Sequence, residues 1–149
     1  MSSVFQQLNS LGAYITNIPG YKLSKTHFNF GSKVHSSDFY YAKRLFQNSF
    51  FASRIALQIS KKIMATNIET GDKILLIGYE LYSEILISLV KKFLVERGFE
   101  NVKHILVVAT NKGLDILLDY NDLQASKNFI IVPIASTGST AMKVESFVK

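Results

Sequence analysis

The segment that decides the fold reads Asn128-Phe-Ile-Ile-Val-Pro-Ile-Ala-Ser-Thr-Gly-Ser-Thr140. Its apolar run ends at Ala135 and is followed by five small residues: Ser136, Thr137, Gly138, Ser139 and Thr140. The next residues can continue as a helix. This order of strand, small-residue loop and helix is typical of phosphate-binding sites, because loop N–H groups and a helix N-terminus attract anions. An ordinary strand-to-helix turn with a Ser or Thr cap explains the segment equally well.

Strands and helices alternate in the residues that precede this segment. The apolar run Lys73–Gly78 predicts a strand that is buried on both faces. Leu81–Arg97 predicts a helix that Gly98 ends, and Val102–Ala109 predicts a second buried strand. Phe129–Ile134 is the third strand. The pattern predicts an α/β fold with a mainly parallel sheet flanked by helices.

In such sheets ligands bind beyond the carboxyl ends of the strands. Two connections are expected at that edge. One is the segment Tyr79–Ser83, which follows the first buried strand, and the other is Ser136–Thr140, which follows the last.

Composition restricts the class of protein. The chain has 149 residues, of which 48% are hydrophobic, enough for one domain with its own core. Cysteine is absent, which excludes disulfides and thiolate metal sites. No signal peptide or membrane span is recognisable, so a cytoplasmic protein without membrane contact is expected. The net charge of +6 is compatible with anionic ligands, but nucleic acid is disfavoured because no arginine-rich cluster or stacking motif accompanies it.

Three segments carry a resemblance to a known family. They are the residues from Phe28 to Phe46 with their Ser/Lys turn, Leu75–Ser83, and Phe129–Thr140. Together these segments resemble the type I phosphoribosyltransferases, and most closely the orotate phosphoribosyltransferases. The resemblance covers about Lys25 to Lys143.

The resemblance implies a single phosphoribosyltransferase-like domain over residues 1–149, with a small N-terminal hood at about residues 25–46. It implies phosphate binding by Ser136, Thr137, Gly138, Ser139 and Thr140. It implies a pyrophosphate loop formed by Tyr79, Glu80, Leu81, Tyr82 and Ser83. Lys33, Tyr40 and Tyr41 would border the base or acceptor, and Lys112 would be the catalytic group. The ligand would be a phosphorylated sugar or a nucleotide, with magnesium if the protein is an enzyme, and a homodimer is expected.

The chain departs from the family at the acidic pair that contacts the ribose hydroxyls, whose positions fall at Val132 and Pro133. It also stops about nine residues after Thr140, whereas the family sheet continues, so later strands are either absent or belong to a longer product. Two hypotheses stay open. One is a phosphoribosyltransferase that transfers at the anomeric carbon, the enzyme class favoured. The other is a non-catalytic nucleotide sensor or interaction module.

The remaining titratable residues suggest no separate site. Glu80 and Glu84 are four residues apart and are expected on one helical face. They could pair for acid/base chemistry, but electrostatic stabilisation of the helix N-terminus is the favoured interpretation, since it needs no ligand. The three histidines, His27, His35 and His104, lack metal-ligand spacing, so no metal site is predicted from them.

Overall fold

The computed structural model describes residues 22–29, 35–117, 125–132 and 139–148. The chain divides into two compact units, residues 1–51 and 52–149, which are described separately. In the described residues, no helix is both long and apolar enough to cross a membrane.

The N-terminal unit contains a two-stranded antiparallel ribbon. Strand β1 (Lys22–Asn29) pairs with β2 (His35–Tyr40), and helix α1 (Ala42–Phe46) follows. Lys22 lies opposite Tyr40, and its ammonium group is 3.0 Å from the Asp38 carboxylate. A hydrogen bond from Ser24 and this ammonium group lower the pKa of Asp38. The ribbon lies where the sequence predicts a hood and begins three residues before it.

The C-terminal unit is built on a four-stranded sheet. Its strands are β3 (Ile74–Tyr79), β4 (Val102–Thr110), β5 (Gly113–Ile116) and β6 (Lys127–Ile131), in the spatial order β5-β4-β3-β6. Strands β3, β4 and β6 are parallel, and β5 runs antiparallel to β4. Its helices are α2 (Ser49–Met64), which starts at the end of the N-terminal unit, α3 (Glu84–Val95) and α4 (Ser139–Val148). The prediction of a mainly parallel sheet flanked by helices is confirmed.

Alternating side chains of the central strands fill two cores, one on each face of the sheet. On one face, Leu75, Ile77, Ile105 and Val107 pack with Val144 of α4. On the other face, α3 packs against β3 and β4 through buried apolar residues. These are Leu86, Ile87, Val90 and Leu94. Because both faces are covered, strand β3 has five consecutive buried residues.

Helix α3 is shorter at both ends than the predicted helix Leu81–Arg97. A 3₁₀ turn, Leu81–Ser83, precedes it, and Gly98 follows it with a φ of 91°. The N–H of Phe99 donates to the carbonyl of Leu94 and the N–H of Gly98 to that of Val95, so the helix ends in a Schellman motif. Glycine is suited to Gly98 because it adopts a positive φ without a Cβ clash.

Candidate functional site

The parallel strands bring the predicted connections to one edge of the sheet. Gly78 of β3 lies level with Leu106 of β4 and with Ile131 of β6. Neighbouring strands are about 4.8 Å apart, so the chain leaves β3 and β6 at the same level and from adjacent positions. The carboxyl edge is therefore the candidate site.

The connection after β3 turns sharply at Glu80, which has φ 68° and ψ 153°. The N–H of Glu80 donates to the carbonyl of Val107 at 2.9 Å, so the ladder with β4 continues one residue beyond the strand. Its carbonyl accepts from the N–H of Ser83 at 3.0 Å. Glu80 therefore lies outside the helix, and the expectation that Glu80 and Glu84 share a helical face is wrong.

Ser83 uses its hydroxyl inside the protein. The side chain is fully buried, and its Oγ donates to the carbonyl of Glu80 at 2.7 Å. The turn is held close to the sheet at Gly78, where an added Cβ would lie 1.8 Å from Cδ1 of Ile87 and 2.7 Å from Oγ of Ser83. Position 78 therefore has no space for a side chain, and the Ser83 hydroxyl stabilises the turn by its hydrogen bond to Glu80.

The side chain of Glu80 places a negative charge on this connection. Its Oε1 is 3.4 Å from the N–H of Ala109, near the end of β4. Burial and the Glu80 carboxylate raise the pKa of Tyr79 above its ordinary value, and they do the same for Tyr82. Of the other two predicted loop residues, Leu81 is exposed and Tyr82 is half-buried.

The connection between β4 and β5 is a tight hairpin. Thr110 pairs with Gly113, which leaves Asn111 and Lys112 as the turn. The Oγ1 of Thr110 donates to the carbonyl of Gly113 at 3.1 Å and accepts from the N–H of Lys112 at 3.2 Å. The predicted catalytic residue Lys112 is therefore exposed at the tip of a short turn at the carboxyl edge.

The connection after β6 leads to α4, which begins at Ser139 and includes Thr140 in its first turn. Val144 is fully buried in the core beneath the sheet and fixes this helix. Ser136, Thr137 and Gly138 lie outside the described residues. Strand, connection and helix follow one another in the predicted order.

The residues predicted on the base side fall in the N-terminal unit. Tyr40 ends β2 and Tyr41 follows it, and both side chains are exposed. Lys33 lies outside the described residues.

A polar cluster that the sequence did not indicate connects α3 to β4. The Nε2–H of His104 donates to Oε1 of Glu84 at 3.1 Å, and the Oγ of Ser88 donates to the same oxygen at 2.9 Å. Glu84 and Ser88 are four residues apart, a spacing that a helix brings together. The sequence around His104 does not predict this contact, because only the pairing of β4 with β3 brings His104 under α3.

No protein-family model and no curated protein sequence matches this chain. Among solved structures it is similar to a 1.9 Å crystal structure of orotate phosphoribosyltransferase from Francisella tularensis, with a TM-score of 0.59 and 12% sequence identity. The match covers 95% of this chain and 63% of that one, so the chain spans less than two thirds of the length of that enzyme. This similarity shows that the chain has a type I phosphoribosyltransferase-like fold.

Proposed function

We propose that this protein binds a ribose 5-phosphate group, free or within a nucleotide, at the carboxyl edge of its sheet. One observation carries the proposal: strand β6, which pairs with β3 and reaches the same level of the sheet, leads through a small-residue segment to helix α4. The N-terminal N–H groups of a helix lack intrahelical partners and attract phosphate. The Ser136–Thr140 segment adds hydroxyl donors from the sequence.

Binding without transfer is the better supported form of this function. Transfer from a diphosphate sugar requires stabilisation of pyrophosphate and of a developing positive charge on the sugar. Val132 and Pro133 supply no carboxylate for the ribose, and Glu80 adds a negative charge where pyrophosphate would lie. A sensor or binding module needs only the phosphate contact.

Phosphoribosyl transfer is the second candidate, and the position of Lys112 favours it. This exposed lysine lies on the turn after β4, at the same edge as the other two connections. A cation there would stabilise a leaving pyrophosphate. Loss of pyrophosphate release in a Lys112→Ala variant, measured with a panel of bases as acceptors, would support transfer.

Magnesium would accompany the ligand more readily than it would bind to the protein alone. It prefers oxygen ligands and is bound through one or two carboxylates together with substrate phosphates. Val132 and Pro133, at the positions of the family's acidic pair, offer no carboxylate. When bound, the ion would neutralise phosphate charge. A homodimer and a cytoplasmic location remain predictions from the family resemblance and the sequence.

The test is calorimetric titration of the full chain with ribose 5-phosphate, and with ribose as the control for the phosphate group. The variant Thr137→Val with Gly138→Ala should weaken binding at least about tenfold, because a hydrogen bond to a charged group is worth about 1.5–3 kcal/mol. The chain provides a matched control in Thr70→Val with Gly71→Ala, the same dipeptide in the turn before β3.

An added Cβ at Gly71 meets no atom within 4 Å, so the control variant should fold and keep the affinity of the wild type. Equal losses in both double variants would show that the assignment of the phosphate to the β6–α4 connection is wrong. Equal affinity of the wild type for ribose and for ribose 5-phosphate would contradict the function itself.

A further inference from the structure

Glu80 has a backbone conformation that normally belongs to glycine. It is the only non-glycine residue with a positive φ in the part of the chain that the structure describes. The combination of φ 68° and ψ 153° is strained for a residue with a Cβ and persists only where surrounding contacts impose it. The hydrogen bonds to Val107 and Ser83 are those contacts. The structure thus holds a carboxylate at the end of β3 against its conformational preference.

Two backbone N–H groups of this turn already donate hydrogen bonds within the protein. The N–H of Glu80 donates to Val107 and the N–H of Ser83 donates to Glu80. Neither group is available to a phosphate oxygen. A turn that binds pyrophosphate needs such donors directed at the ligand, because they stabilise anionic oxygens.

The negative charge of Glu80 also disfavours an anionic ligand at this turn. Among the described residues Glu80 has no salt bridge, so its carboxylate is not neutralised by a paired cation there. Its position next to the N–H of Ala109 places it over the ends of β3 and β4. An anion at this point would be repelled, whereas sugar hydroxyl groups can donate to a carboxylate.

We infer that Glu80 determines ligand specificity: it selects ligands that carry a single phosphate on the ribose and excludes those with a diphosphate at the anomeric carbon. The inference rests on the proposed binding of ribose 5-phosphate at the β6–α4 connection. There the single phosphate is bound, while the sugar extends toward the turn after β3. Glu80 accepts from its hydroxyl groups and repels a second anionic group.

The experiment compares two ligands and four proteins by calorimetry at constant ionic strength. The ligands are ribose 5-phosphate and phosphoribosyl diphosphate, each with a chelator and with magnesium. The proteins are the wild type, Glu80→Gln, Glu80→Gly and Glu100→Gln. Glu100 is an exposed residue just before β4, at the opposite edge of the sheet, so its substitution is the matched loss of one charge.

The wild type should bind ribose 5-phosphate at least about tenfold more tightly than the diphosphate, since removal of a like-charge contact is worth about 1.4 kcal/mol or more. Glu80→Gln should remove most of that preference by binding the diphosphate better, and Glu100→Gln should leave it unchanged. Glu80→Gly gives a second variant that suits the positive φ, and it should behave like Glu80→Gln.

The outcomes separate the two proposals. If the wild type prefers ribose 5-phosphate and neither Glu80 variant changes that preference, the specificity role of Glu80 is overturned and the proposed function stands. Tighter binding of the magnesium–diphosphate complex by the wild type than by Glu80→Gln also overturns it, because the carboxylate would then hold the metal. Absence of ribose 5-phosphate binding to every protein overturns the proposed function, and the specificity role with it.

Discussion

Substitution of Gly78 by alanine tests how the turn after β3 is held against the sheet. The new Cβ would lie 1.8 Å from Cδ1 of Ile87, 2.7 Å from Oγ of Ser83 and 3.0 Å from Cδ2 of Leu106. Ile87 and Ser83 are fully buried, so neither can move into solvent. Overpacking of this kind costs about 1–3 kcal/mol, and loss of the hydrogen bond from Ser83 to Glu80 adds about 1 kcal/mol. We expect a total of about 2–4 kcal/mol.

The assay is equilibrium unfolding in urea, with Gly71→Ala as the control. Gly71 has open space for a Cβ, so its substitution should change the free energy of unfolding by no more than about 1 kcal/mol, toward higher stability. Gly78→Ala should lower the midpoint strongly. If the free energy of unfolding of Gly78→Ala is no lower than that of Gly71→Ala, the close-approach argument is refuted.

A double-mutant cycle identifies the clash itself. Ile87→Val removes the Cδ1 atom that the new Cβ would strike and by itself costs about 0.5–1.5 kcal/mol. Gly78→Ala combined with Ile87→Val should be less destabilised than the sum of the single variants by at least about 1 kcal/mol. Additive effects would mean that Ile87 is not the residue that limits the space at Gly78.

Three further predictions concern the cap of α3, the polar cluster and the titration of the turn. Gly98→Ala should lower the free energy of unfolding by about 1 kcal/mol, because φ is 91° there; thermal unfolding measures the change. His104→Ala should cost about 1–3 kcal/mol, because it removes a largely buried partner of Glu84; an equal loss in a His104→Phe variant would show that the hydrogen bond matters and not the volume. The raised pKa of Tyr79 predicts that its contribution to stability is present below pH 10.0, its ordinary pKa, and is lost as the pH rises through the folded value. Glu80→Gln should lower that pKa only in part, since burial is the larger cause, and ultraviolet titration of the phenol would follow it.

The sequence predicts the central strands well, because burial on both faces leaves a local signal. The predicted strand Lys73–Gly78 is shifted by one residue from β3, and the predicted strand Val102–Ala109 ends one residue before β4 does. Their runs of consecutive apolar residues arise because α3 and α4 cover opposite faces. Strand β5 follows β4 after a turn of two residues, and so short a connection allows only antiparallel pairing.

Elements that depend on distant partners were predicted less well. The residues from Asp38 to Thr66 keep a helical spacing, although the aromatic start Asp38–Tyr41 also suits a strand. The structure contains the end of β2, α1 and α2 in that range. The start of α2 is fixed by Asn48, whose Oδ1 accepts from the N–H groups of Phe50 and Phe51. Strand β1 has few apolar residues and is held by its pairing with β2. Sequence spacing alone does not locate such boundaries.

The candidate site shows the same division between local and tertiary signals. The small-residue segment before α4 and the glycine at the end of β3 were visible in the sequence, and parallel pairing brings the carboxyl ends of β3 and β6 to one edge. The inward hydroxyl of Ser83 and the position of Glu80 outside the helix were not visible. The N–H of Glu80 donates to Val107, a residue 27 positions away along the chain, and the Ser83 hydroxyl donates to the carbonyl of Glu80.

Gly78 and Glu80 separate two constraints that a glycine can satisfy. At Gly78 the constraint is space, since any side chain would strike α3. At Glu80 the constraint is backbone conformation, since φ is positive, and a glycine there would remove strain that is of order 1–3 kcal/mol. The chain nevertheless places a carboxylate at that position, and its contact with Ala109 at 3.4 Å is too long to offset the strain by itself. A hydrogen bond between this carboxylate and the phenol of Tyr79 is a further contact within the fold, and, after burial, it helps to raise the pKa of Tyr79. If the carboxylate also accepts from the hydroxyl groups of a ligand, Glu80→Gly should make the fold more stable while weakening discrimination between the two ligands.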